Sequence, residues 1–172
     1  KRVVLRKRAA NEMLRYVKEG QPERGTNFTH EFSQSGGSGS GSVVYADISQ
    51  PLDTGGADSI QLNTISAVEG HTHPTQNCAP KRKTACGVGA PSGTDMTNIF
   101  TRAQHGNKLH IVFAHEGIYG VSVLDSSNTK GRDAFTRAYD ELTQRYQSTM
   151  MTYEDFVKSF NRLVDETRVF QV

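Results

Sequence analysis

From Val3 to Lys18 the apolar residues return at helical spacing: Leu5, Ala9, Met13 and Val17 share a face, Ala10 and Leu14 lie beside it, and charged residues lie opposite. The pattern predicts an amphipathic helix, ended by Gly20 and Pro22. Phe28 to Gln34 and Val43 to Ser49 read as two strands around residues 35–42, a Ser-Gly-Gly-Ser-Gly-Ser-Gly-Ser tract. That tract has no apolar group to offset the entropy of ordering it, so a flexible tip is expected, either a natural turn or an engineered linker replacing a longer loop. Ile60 to Val68 forms a third extended stretch that leads into Gly70-His71-Thr72-His73-Pro74, and an irregular segment runs from Thr75 to Pro91.

Ser92 opens a second helix, whose buried stripe is Met96, Ile99, Phe100 and Ala103. Leu109 to Ala114 and Ile118 to Leu124 read as a hairpin around Glu116-Gly117, and the rest reads as helix, over 131–168. There Phe135, Ala138, Tyr139, Leu142 and Tyr146 form one apolar face and Tyr153, Phe156, Val157, Phe160 and Val164 another, with Thr152 and Asp155 as the cap between them. Strands in the middle of the chain, with helices before, between and after them, predict an α/β (α+β) fold: a mixed sheet flanked by helices, in one domain spanning 1–172.

Composition narrows this picture little. A chain of 172 residues can bury a continuous core, and a formal net charge of +2 is too small to point to nucleic acid or an anionic membrane as partner. No apolar run approaches the roughly 20 residues of a membrane-spanning helix. The start at Lys1-Arg2-Val3-Val4 lacks an initiating methionine and signal-peptide features, so an excised piece of a longer protein is expected. Cys78 and Cys86 could close a surface loop, and their spacing leaves their redox state open.

Chemistry concentrates at the third extended stretch. In a strand, alternate side chains share a face, so His71 and His73 point the same way and both imidazoles can reach one ion. Catalytic zinc takes three protein ligands and leaves one position for solvent, and Asp95, at the start of the second helix, is the expected third ligand. Glu31, in the first strand, is the expected general base, and Ser92 the expected donor to a developing oxyanion. Two rival readings stay open: Ser92-x-x-Asp95 is also a helix-capping pattern, and Glu69 lies nearer the histidines than Glu31 but on their own face, where it would crowd the metal. His30, His105, His110 and His115 each stand alone in their segments and are expected to be structural or exposed, while Lys81-Arg82-Lys83 reads as a solvated loop able to meet an acidic substrate surface.

The run His71-Thr72-His73-Pro74 followed by Ser92-Gly93-Thr94-Asp95, with a glutamate upstream, resembles the signature of the JAMM (MPN-plus) metalloproteases, over roughly Phe28 to Leu124. The resemblance implies a cytidine-deaminase-like fold and a Zn2+ ion on His71, His73 and Asp95. It also implies Glu31 as general acid/base, Ser92 as oxyanion stabiliser, and a protein or peptide substrate, ubiquitin-like conjugates included. The 17 residues between Pro74 and Ser92 exceed the family's usual gap, which marks an insertion facing substrate. The compact element order and missing start methionine further resemble the JAMM-type toxin domains of bacterial secreted proteins. That branch implies export within a larger bacterial protein, and a cognate immunity protein as partner, as against a cytoplasmic location. A non-catalytic scaffold of the same fold is the alternative function. An amidohydrolase barrel, the other setting for His-x-His-Pro, needs about 250 residues.

Overall fold

The structure is a computed structural model that describes residues 2–19, 22–33, 43–48, 52–55, 60–62, 64–73, 89–148 and 150–172. The Gly/Ser tract at 35–42, Pro74, both cysteines and Lys81-Arg82-Lys83 lie outside the described residues, and so do the expectations attached to them.

Among the described residues four helices flank a mixed eight-stranded sheet, so the expected fold class holds. The elements are β1 (Arg2–Leu5), α1 (Lys7–Lys18), β2 (Arg24–Ser33), β3 (Val43–Ile48), β4 (Asp53–Thr54), β5 (Val68–Thr72), α2 (Gly93–Gln104), β6 (Leu109–Phe113), β7 (Ile118–Val123), α3 (Thr129–Gln147), α4 (Tyr153–Thr167) and β8 (Phe170–Gln171). The main path across the sheet is β1-β3-β2-β5-β6-β7-β8, with β4 paired to β2. β2 with β3 and β6 with β7 are antiparallel, as the apolar pattern predicts. β5 and β6 are parallel, which requires a crossover, and α2 lies in that connection.

Three sequence expectations are corrected. The helix predicted from Val3 splits at Arg6, because Arg2–Leu5 pairs in parallel with β3, a long-range contact that the helical spacing of Leu5 conceals. The strand expected from Ile60 begins instead at Val68 and runs through the histidine segment to Thr72, while the described residues of 60–67 form no strand. The chain ends in β8 rather than in helix: Arg168 takes a left-handed conformation with φ 52° and turns it back, so that Phe170 is buried beside β7.

Each sheet face has its own core. On one, Ala9, Met13 and Val17 of α1 pack on Phe28, Ala46, Val68, Ile111 and Phe113. On the other, Met96, Ile99 and Phe100 of α2 join an aromatic cluster of Phe135, Tyr139, Phe156, Phe160 and Phe170. The hydroxyl of buried Tyr139 donates to the Pro91 carbonyl at 2.6 Å, tying α3 to the segment that enters α2. Gly93 packs so closely on Asp140 that a Cβ there would collide with the carboxylate.

Candidate metal centre

All five residues of β5 are buried, and alternation sends Val68, Gly70 and Thr72 towards α1 and Glu69 and His71 towards α2. His71 and His73 therefore share the α2 side of the sheet, at the C-terminal end of a parallel strand pair, where open α/β sheets characteristically bind ligands. Ser92 caps α2: its Oγ accepts from the Asp95 amide at 3.1 Å while Asp95 Oδ2 accepts from the Ser92 amide at 2.7 Å. The cap does not exclude the metal reading, because the capping carboxylate also faces the histidines. Asp95 Oδ1 lies 3.5 Å from His71 Nε2 and Oδ2 lies 3.1 Å from His73 Nε2, with the two Nε2 atoms 2.9 Å apart.

These separations suit a cation. Ligands about 2.0 to 2.1 Å from a tetrahedral ion stand about 3.3 Å from one another, close to the spacing of this donor set. His73 Nδ1 lies 3.0 Å from the Gly89 carbonyl, which can only accept, so that nitrogen carries a proton, and in the neutral ring Nε2 presents its lone pair to the cluster. Two imidazole nitrogens and a carboxylate converging in this way repel one another unless a proton or a cation lies among them.

A proton on His73 meets part of that demand. Burial holds the His71 pKa well below the ordinary histidine value, with His110 and His73 adding to the effect against Asp95. For His73 burial also opposes charge, but the hydrogen bond and charge of Asp95, with help from Glu23, outweigh it and raise the pKa. Asp95 would be pushed up by burial, yet its bond to His73 and the charges of both histidines hold it well below the usual carboxylate range.

The structure does not bring Glu31 to this cluster. In the β2–β5 ladder Gly25 stands opposite His71, and Glu31 lies six residues further along β2, opposite Tyr45 of β3. At ~3.4 Å per residue this puts its backbone about 20 Å from the site. Its side chain lies outside the described residues. The glutamate that the register brings towards the histidines is Glu23. Continuing the register past Gly25, the Arg24 amide donates to Thr72 Oγ1 at 2.9 Å, and Glu23 comes level with His73, buried and close enough to raise its pKa. No local signal marks Glu23, since only the strand register, set by pairing across the chain, singles it out.

Glu69 does share the histidine face, but its carboxylate is engaged away from the His71–His73–Asp95 cluster. It accepts from Arg102 Nε at 2.6 Å and Nη2 at 2.8 Å, and from the Ser66 amide at 2.6 Å. Burial would raise its pKa, but His110, Arg102 and Ser66 together lower it. His110, which the sequence left among isolated histidines, pairs in register with Glu69 and is buried, its Nε2 2.7 Å from His71 Nδ1. Ser92 Oγ donates its proton to Asp95 Oδ2 at 2.7 Å, so the geometry has it holding the Asp95 carboxylate in place.

A cleft of about 390 Å³ opens beside His71 and Asp95, between Ile60, Gln61, Leu62 and Ile65 on one side and α2 on the other. Ile60, Leu62 and Ile65 supply an apolar wall and Asn98, Thr101 and His105 a polar one. Gly25 lets the first wall approach β2, because a Cβ there would collide with Leu62. Arg102 holds this wall to α2 by donating to the carbonyls of Leu62 and Thr64.

Comparison with protein-family models, with curated proteins and with solved structures finds no match to this chain.

Proposed function

We propose that this chain is a zinc-dependent peptidase or isopeptidase of JAMM type, with His71, His73 and Asp95 as ligands and Glu23, in place of Glu31, as general acid/base. The observation that carries the reading is the convergence of two imidazole nitrogens and a carboxylate at tetrahedral spacing, with a buried glutamate level with the second histidine. The cytidine-deaminase-like arrangement implied by the sequence resemblance belongs to the same proposal.

Zinc at this position would supply Lewis acidity towards water and towards a substrate carbonyl. The chain's own residues supply the rest. Gly89 fixes the His73 ring through Nδ1, and Ser92 fixes Asp95 through its hydroxyl and amide. Glu23 takes the proton that water loses as it attacks the carbonyl carbon, then delivers it to the amine released when the C–N bond breaks. Ser92 is exposed, and rotation of its hydroxyl from Asp95 to the carbonyl oxygen would serve the oxyanion. The cleft takes an apolar stretch of a protein or peptide chain between Leu62 and α2.

The test is hydrolysis of a panel of peptides and isopeptide-linked conjugates by the zinc-loaded protein and by Glu23→Gln. The expected result is cleavage by the parent and a loss of about 10²- to 10⁴-fold in Glu23→Gln, at unchanged zinc content. Full activity in Glu23→Gln would remove that residue from the mechanism. Zinc binding without cleavage of any conjugate would favour the scaffold alternative.

A further inference from the structure

Behind His71 lies a buried chain of polar groups that the hydrolytic reading does not use. His71 Nδ1 and His110 Nε2 are 2.7 Å apart, and His110 Nδ1 is buried without a hydrogen-bond partner, 3.6 Å from Glu69 Oε2. Glu69 is wholly buried and held by both Arg102 and Ser66. A hydrogen bond between two imidazoles can run either way. If His110 donated from Nε2, its bare Nδ1 would face the Glu69 carboxylate, acceptor against acceptor, and His71 would turn an N–H towards the metal position. If His71 donates from Nδ1, the His110 proton moves to Nδ1 and faces the carboxylate, and His71 presents a lone pair at Nε2.

We infer that the Glu69–Arg102 pair, acting through His110, selects the metal-binding tautomer of His71, so that Glu69 and His110 are positioning residues of the metal centre. This rests on the metal reading of His71 proposed above. A histidine ligand that donates its other nitrogen to a fixed acceptor is held in orientation and tautomer, and loss of such a partner typically costs 10- to 100-fold in metal affinity. Here a second histidine stands between ligand and carboxylate. The register of the parallel β5–β6 pair, which places His110 beside Glu69, builds the chain into the sheet.

The test has two readouts. In the metal-free parent protein at mildly alkaline pH, nitrogen-15 NMR of the imidazoles should show both His71 and His110 protonated at Nδ1. In zinc competition against a chelator, His110→Leu should bind about 10- to 100-fold more weakly. His110→Gln, whose side-chain oxygen can still accept from His71, should recover most of that loss. An Nε2-protonated His71 in the metal-free protein, or unchanged zinc affinity in a folded His110→Leu, would overturn the inference. If His110→Leu does not fold, the NMR result on the parent decides alone. A parent that shows the expected tautomers but binds no zinc would overturn the metal reading and leave the tautomer chain standing.

Discussion

The two faces of β5 differ more than any other pair of neighbouring regions in the molecule. Towards α1 the strand turns Val68, Gly70 and Thr72 into a core of methyl groups and rings. Towards α2 it turns Glu69 and His71, equally buried, into a line of charged and polar groups that ends at Asp95. The first face is stabilised chiefly by removing apolar surface from water. The second tolerates burial because its acceptors meet donors, and at its end two imidazole nitrogens and a carboxylate converge within 3.5 Å of one another. A sheet that can bury one face in hydrocarbon gains no stability from such an arrangement. The contrast singles out the second face as the one whose groups could hold a metal ion.

That comparison can be broken from either side. The largest effect is expected from Arg102→Met, which leaves the Glu69 carboxylate buried without its cation and should cost about 3 to 5 kcal/mol in chemical denaturation. A cost near zero would mean that the pair is not buried as described. On the opposite face, Met13→Ala opens a cavity beneath α1 and should cost about 2 to 5 kcal/mol while leaving zinc stoichiometry intact. Loss of metal in a folded Met13→Ala would show that the two faces are not independent. The smallest effect on stability is expected for Ser92→Ala, about 1 kcal/mol for the lost cap, accompanied by weaker zinc binding because Asp95 loses its hydroxyl partner. A stability loss with unchanged zinc affinity would reduce Ser92 to its capping role.

What could be read in advance follows the range of the interactions involved. The shared face of His71 and His73, the cap at Ser92 and the hairpin of β6 and β7 depend on periods and turns within a few residues, and the apolar pattern displays them. Glu23, His110 and β1 depend on pairing between distant strands. The register along β2 decides whether Glu23 or Glu31 lies beside the histidine cluster, and nothing within either segment encodes that choice. His110 stands alone in its own segment and gains its partners only when β6 docks on β5. The capping and metal readings of Asp95 looked like rivals in sequence because a one-dimensional pattern allots each residue one role, whereas its two carboxylate oxygens and the open side of α2 accommodate both.

Metal binding by the whole chain tests the central claim most directly. Zinc titration of the chelator-treated protein, followed by metal analysis after dialysis, should give one ion per chain. The ion should be lost in His71→Ala and in Asp95→Ala, each with its circular dichroism spectrum preserved. A parent protein that retains no zinc, or a folded His71→Ala that retains the full complement, would contradict the account.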